Sequence, residues 1–312
     1  MTTQRALDAA GTQRLDDYVA LWGLMPREPG FQTNSAWLQR VSLKGQPAML
    51  KVARPDSDER PGMALLAWWG DQLTQDAAAA NGWEPGFGAV RVLCRDADAL
   101  VMAEAEETPS LGDLSAFDDR AAYEVLIQTA RALHPHATPA PSTPPSNPLP
   151  TGLVPLTAVR EHVFGLPAAG EACFDRWRNF AGSLDVMGPA PEPLHGDIHH
   201  GNVLRDTQSG AWVVIDPKGL LGHPAYDFAN LFFNPMDQPG RVAQVERMDW
   251  LASHVATLVP AVSGRDDVLD FGYLYGGMSL LWGWDEVWAS ERLEQFQMLE
   301  TLWQAQRQRP VP

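Results

Sequence analysis

The sequence predicts an α+β chain in two parts: a small β-rich N-terminal lobe over residues 1–103 and a larger, mainly helical C-terminal lobe over residues 104–312. Three observations carry this. Short apolar and β-branched runs bounded by turn residues concentrate in the first part. Helix-length apolar patterns dominate from about residue 116 onward. One late pair of short apolar runs, near residues 203–215, reads as a hairpin with polar residues at both ends. A chain of 312 residues is long enough to give each part its own core.

In order, Ala36–Lys44 alternates partly as a strand, Gly45-Gln46-Pro47 is a turn, and Ala48–Val52 is the next strand. Lys51 sits inside that apolar strand, where an ammonium without a partner is costly. Lys44 falls at the turn. Asp56-Ser57-Asp58 provides caps for a helix opened by Glu59, with Pro61 near its first turn and Met63–Trp69 continuing it. Glu59 is therefore the candidate partner for Lys51. Asn81–Gly88 is glycine-rich, but no lysine follows at P-loop spacing, so it reads as a turn. Ala89–Cys94 and Ala99–Met102 form an expected hairpin, after which the chain crosses between lobes. A helix is expected over 116–134. The eight prolines from Pro135 to Pro155 then forbid helix and predict an extended connection. Further helices are expected at about 157–168, 171–187, 238–260, 265–290 and 290–307.

The chemistry concentrates in Leu194-His195-Gly196-Asp197-Ile198-His199-His200-Gly201-Asn202 and the following Val213-Val214-Ile215-Asp216. Kinase-type phosphoryl transfer needs one Asp to take the proton of the attacking hydroxyl, and an Asn and a second Asp to hold Mg²⁺ on the nucleotide phosphates. Asp197, Asn202 and Asp216 supply those types in that order. Val203-Leu204 and Ala211–Ile215, joined by the polar turn Asp206–Gly210, fold back as a hairpin that returns Asp216 to Asn202. Mg²⁺ keeps several waters, so two protein oxygens with phosphates suffice. His195 reads as a tie between the loop and neighbouring backbone. His199 and His200 lack partners at zinc spacing and read as loop residues near a substrate.

These residues, with the continuation Asp216-Pro217-Lys218-Gly219-Leu220-Leu221-Gly222-His223-Pro224-Ala225-Tyr226-Asp227, resemble the aminoglycoside phosphotransferase superfamily. Asp-Pro-Lys-Gly-Leu-x-Gly, Phe228-Ala-Asn230-Leu-Phe-Phe-Asn234-Pro235 and Tyr273-x-Tyr275-Gly276 are similar to its streptomycin 6-kinase and hydroxyurea phosphotransferase branch. The resemblance implies a protein-kinase-like bilobal fold, ATP as phosphoryl donor, Mg²⁺, and O-phosphorylation of a small hydroxylated acceptor that confers antibiotic resistance. A housekeeping small-metabolite kinase and a non-catalytic nucleotide binder are the alternatives. The resemblance makes Lys51 the grip on the nucleotide phosphates and Met102–Ala105, with Met102 and Glu104, the hinge that binds adenine through backbone groups. No Gly-x-Gly-x-x-Gly is present, and Ser35 in Thr33-Asn34-Ser35 is the candidate phosphate-covering donor. The resemblance gives the position of Asp227 a bracing role toward the catalytic loop. Lys218 orients phosphate or substrate, or forms a surface salt bridge.

The net charge of −16 excludes the basic footprint that nucleic acids and anionic membranes require, and it suits a cationic small substrate. Between Asp96 and Asp119 there are eight acidic residues and no Lys or Arg. Glu104, Glu106 and Glu107 among them are either a solvated face or a lure for a cation. Asp285 and Glu286, set among Trp282, Trp284 and Trp288, are candidate contacts for a cationic substrate, or acids that face water on a helix with a core side. No apolar run is long enough to span a membrane. Two cysteines, Cys94 and Cys173, make no disulfide framework, and the start lacks an apolar leader, so a cytoplasmic monomer or dimer is expected.

Overall fold

The computed structural model describes residues 5–76, 86–106, 108, 110–134, 148–166, 172–236 and 244–308, with backbone alone for 72–76, 172 and 173. Strand β1 (Arg5–Ala6) leads into helix α1 (Ala9–Trp22), whose ends follow from the sequence. Asp8 accepts from the Gly11 amide at 2.6 Å, and Gly23 stops the helix in the left-handed conformation. There follow β2 (Met25–Pro26), β3 (Phe31–Gln32), β4 (Ala36–Leu43) and β5 (Gln46–Ala53). Then come α2 (Glu59–Asp76), β6 (Phe87–Ala89), β7 (Val92–Arg95) and β8 (Ala99–Ala103). Seven of these strands form an antiparallel sheet in the order β1-β3-β4-β5-β8-β7, with β2 on β4.

The period of two along a strand decides what each face of this sheet does. Ala48, Leu50 and Val52 of β5 and Ala99 and Val101 of β8 pack with Leu15 and Tyr18 of α1. Leu100 and Met102 point to the other face, into the core shared with α2. Lys51, between Leu50 and Val52, is thereby on the α2 side.

The C-terminal part comprises β9 (Ala105–Glu106), α3 (Leu111–Phe117), α4 (Asp119–Leu133), β10 (Val154–Pro155), α5 (Leu156–Phe164) and α6 (Ala172–Ser183). It continues with β11 (Glu192–Leu194), β12 (Val203–Asp206), β13 (Trp212–Val214), β14 (Leu220–Gly222) and α7 (Tyr226–Ala229). After a 3₁₀ turn (Asn230–Phe233) it ends with α8 (Val245–Leu258), α9 (Arg265–Trp282) and α10 (Ala289–Arg307). Two small sheets, β10-β14-β11 and β6-β13-β12-β9, lie among these helices. None of the helices is long and apolar enough to cross a membrane, among the described residues. Cys94 carries a free thiol, while the Cys173 side chain lies outside what is described.

Several expected elements are redrawn. The strand expected over 89–94 is divided: β6 pairs in parallel with β13, whereas β7 joins the large sheet. The single helix expected over 116–134 is two, because Asp118 leaves helical geometry and caps α4 through the Ala121 amide. The helix expected over 265–290 stops at Trp282, and residues 283–288 form turns before α10. Most of the proline-rich segment (135–147), the core of the Asn81–Gly88 loop (81–85), residues 238–243 and Glu107 lie outside the described residues.

Candidate active site

The loop that carries Asp197 is built on the β11–β14 pair, where Leu194 lies opposite Leu220. Gly196 turns the chain at φ +79°, and a Cβ there would meet Leu220 Cδ1 at 2.7 Å. The adjoining His195 is fully buried. Its Nε2 donates to the Ile215 carbonyl at 2.8 Å and its Nδ1 accepts from the Asp197 amide at 3.2 Å. Burial holds this imidazole below its usual pKa, in keeping with a neutral Nε2–H tautomer. One buried ring thus ties the residue before Asp216 to Asp197.

Asp227 braces the same loop from beneath. Its Oδ2 accepts from the His195 amide at 2.9 Å and its Oδ1 from the Gly196 amide at 2.6 Å. His134, at the end of α4, donates from Nε2 to Asp227 at 2.9 Å and from Nδ1 to Glu192 at 2.8 Å. Burial alone would lower the pKa of His134, but hydrogen bonds and charge from Asp227 and Glu192 push it up to about 9. Sequence reasoning missed His134 and Glu192, because only the fold brings α4 beneath the loop. Asn230 was also missed as a site residue, although its spacing from Asp227 puts both on one face of a helical turn. Its Nδ2 donates to Asp197 Oδ1 at 3.0 Å and fixes that carboxylate.

The hairpin forms as expected, with Val203 opposite Val214. Ile215 donates to the Asn202 carbonyl at 2.9 Å, which sets Asp216 beside Asn202. Asn202 Nδ2 donates to the Asp197 carbonyl at 2.9 Å, leaving its Oδ1 turned away from that bond. Asp216 adopts φ +62°, a conformation uncommon for a side-chain-bearing residue. Among the described residues no three His, Cys, Asp or Glu side chains form a self-sufficient metal cluster. One amide oxygen and one carboxylate at a solvent-reaching edge do fit Mg²⁺, which takes its remaining oxygens from phosphates and water.

Lys51 contacts both Glu59 and Asp216 through Nζ. Burial works against its charge, yet Asp216 and then Glu59 hold the ammonium above its usual pKa. For Asp216, burial raises and Lys51 and Lys218 lower, and the cations win. Glu59 is thus the partner of Lys51. Gly62 falls where a side chain cannot stand: a Cβ would lie 1.7 Å from the Pro217 carbonyl oxygen. Gly219, at φ +67°, meets Pro61 from the other side. This close approach of α2 to the loop after Asp216 keeps Glu59, Lys51 and Asp216 in one cluster. The Lys218 ammonium lies 3.6 Å from Asp197 Oδ2.

Of the other expected positions, His200, Met102 and Glu104 are corrected. His200 is buried against the edge of Tyr123 (5.6 Å between centroids) and is not presented to a substrate. Its neighbour His199 remains half-buried, with Nε2 3.9 Å from Asp197. Met102 is locked in the sheet between Met49 and Val92. The Glu104 carbonyl accepts from Thr207, its amide donates to Pro47, and its buried carboxylate pairs with Arg27 and Arg40. With those groups engaged, Glu104 is an ion-pair anchor and not a free hinge contact. Ser35 stands in the tight β3–β4 turn, its carbonyl bound by Arg54. Asp285 and Glu286 are exposed in the turn after α9.

Comparison with known proteins agrees with this architecture. The family model described as aminoglycoside/hydroxyurea antibiotic resistance kinase matches residues 21–287. Streptomycin 3''-kinase of Klebsiella pneumoniae is 38% identical over 224 residues, covering 70% of this chain and 73% of that protein. Streptomycin 6-kinase of Streptomyces griseus is 28% identical, covering 65% and 61%. Among solved structures, the choline kinase LicA from Streptococcus pneumoniae superposes with TM-score 0.52 at 13% identity, covering 96% of this chain and all of that one. Aminoglycoside phosphotransferase APH(4)-Ia gives 0.52 at 13%, covering 94% and 99%. These two share the protein-kinase-like fold. The chain belongs to the aminoglycoside/hydroxyurea antibiotic resistance kinase family.

Proposed function

We propose that the protein is an ATP- and Mg²⁺-dependent kinase that phosphorylates a hydroxyl of a streptomycin-like aminoglycoside and thereby confers resistance. The observation that carries this is the convergence of Asp197, Asn202 and Asp216 with the Lys51–Glu59 pair in one cluster. The identity to a streptomycin 3''-kinase supports the choice of acceptor.

Asp197 is the residue that accepts the proton of the acceptor hydroxyl, with its carboxylate aimed by Asn230 and steadied by Lys218. Asn202 and Asp216 are the residues that would hold Mg²⁺, which neutralises charge on the phosphates when bound. Lys51, released in part from Asp216, holds the nucleotide phosphates while Glu59 keeps its ammonium in place. Most of the rate enhancement then comes from positioning and from charge complementary to the phosphoryl group in transit. Lys218, kept protonated by Asp197 and Asp216 against the effect of burial, adds a cation at that point. The acidic balance of the chain draws a cationic acceptor toward the cleft.

The test is ³¹P NMR of the products formed from ATP and a panel containing streptomycin, other aminoglycosides and amino alcohols. A phosphomonoester on streptomycin, with raised streptomycin tolerance in an expressing host, is the expected result. Turnover confined to amino alcohols with no gain in tolerance overturns the assignment in favour of a metabolic kinase.

A further inference from the structure

Among the described residues two arginines are buried, Arg247 and Arg292, and they differ in how their charge is met. Arg247, equally buried, is neutralised by Asp119 at 2.7 Å. The less buried Arg265 and the exposed Arg307 and Arg176 each hold a carboxylate as well. Arg292 is only 5% exposed, yet no carboxylate lies within ion-pairing distance among the described residues, and its Nη1 has no hydrogen-bond partner. Its guanidinium lies over Phe233 at 4.9 Å and over Trp288 at 5.4 Å. Cation–π contact compensates part of the lost hydration but leaves the Nη1 donors unmet. One helical turn on, the Gln295 side-chain oxygen is also buried and without a partner. Residues three apart on a helix share a face, so a donor-only fork and an unmet acceptor stand together on α10.

The position ties this pair to the catalytic centre. Phe233 ends the 3₁₀ turn that Asn230 begins, and Asn230 is bonded to Asp197 at 3.0 Å. The Phe233 ring packs on Tyr275 at 5.9 Å, and Tyr275 packs on Tyr226 at 5.9 Å. Burial, then the charge on Asp197, raises the pKa of the Tyr275 phenol, while the charge on Arg292 lowers it.

We propose that Arg292 and Gln295 form an acceptor subsite that binds the hydroxyls of a neutral sugar ring. A hydroxyl both accepts and donates, which matches a guanidinium beside an amide oxygen. An ammonium or guanidinium of the acceptor is repelled from Arg292, so the cationic part of the molecule is directed elsewhere. The subsite gives orientation: it holds an aminoglycoside by its uncharged ring while the reacting hydroxyl meets Asp197. This proposal rests on the aminoglycoside-kinase reading above.

The experiment compares wild type with Arg292→Met, Arg292→Lys and Gln295→Leu. Two probes are used: streptomycin and a fragment of it that keeps the guanidinated cyclitol but lacks the sugars. Acceptor KM, kcat, ATP KM and Tm are measured for each. Arg292→Met is expected to raise streptomycin KM tenfold or more, with ATP KM within twofold and Tm unchanged or higher. Arg292→Lys keeps the charge but loses the fork, and falls between. With the fragment as probe, binding measured by calorimetry is expected to be equal for wild type and Arg292→Met. A lowered Tm with unchanged streptomycin KM makes Arg292 a core brace and overturns the subsite alone. Equal loss on both probes also overturns it. Absence of any phosphorylated product from wild type removes the underlying reading, and the subsite with it.

Discussion

His134 gives the most quantitative consequence of this architecture. The ring is wholly buried between Glu192 and Asp227, and its pKa rises from 6.5 to about 9 on folding. A group whose pKa is raised by folding stabilises the native state fully below its unfolded pKa. That contribution is lost as pH climbs through the folded value. The window is therefore about 6.5 to 9. At 1.36 kcal/mol per pKa unit, a rise of that size is worth about 3 kcal/mol. Urea unfolding of wild type and His134→Gln at a series of pH values isolates the effect, because other titrating groups cancel in the difference. The stability gap is predicted to be largest near pH 6 and to shrink by about 3 kcal/mol near pH 9.5. A gap that stays level across this range refutes the charged His134 bridge. Because Asp227 carries the His195 and Gly196 amides, kcat in wild type is expected to hold across neutral pH and to fall as pH rises through about 9, where folded His134 loses its proton.

Three further outcomes follow from the cleft. Gly62→Ala places a methyl against the Pro217 carbonyl, so α2 must shift; about 1–3 kcal/mol of stability and at least tenfold in ATP KM are expected to be lost, by urea melts and kinetics. Lys51→Met leaves Glu59 and Asp216 facing each other without their cation, and should raise ATP KM at least tenfold while the acceptor KM holds. Asn230→Ala frees the Asp197 carboxylate to rotate, and a fall of about 10²-fold in kcat with little change in ATP KM is expected from steady-state assays.

The candidate site is legible in the sequence where its constraints are local. A hairpin of fixed length returns Asp216 to Asn202, and one short loop separates Asn202 from Asp197. Lys51 is readable because an ammonium within an apolar strand demands an acid. Long-range features are not readable in this way. The division of the 89–94 strand between two sheets depends on β13, far along the chain. Glu104 looks like a hinge residue until the fold brings Arg27 and Arg40 to it. His200 resembles its neighbour His199 in sequence, and only the packing of α4 buries it under Tyr123. Helix α1 carried a readable signal, Asp8 before it and Gly23 after it, which propensity alone does not reveal.

The central claim is that Asp197 acts on the acceptor hydroxyl and not on the nucleotide. Asp197→Ala, assayed in parallel for product formation and for ATP binding by calorimetry, tests it most directly. A loss of about 10³-fold or more in kcat with ATP affinity within a few-fold of wild type is the predicted result. Turnover near wild type, or loss of ATP binding together with turnover, would contradict it.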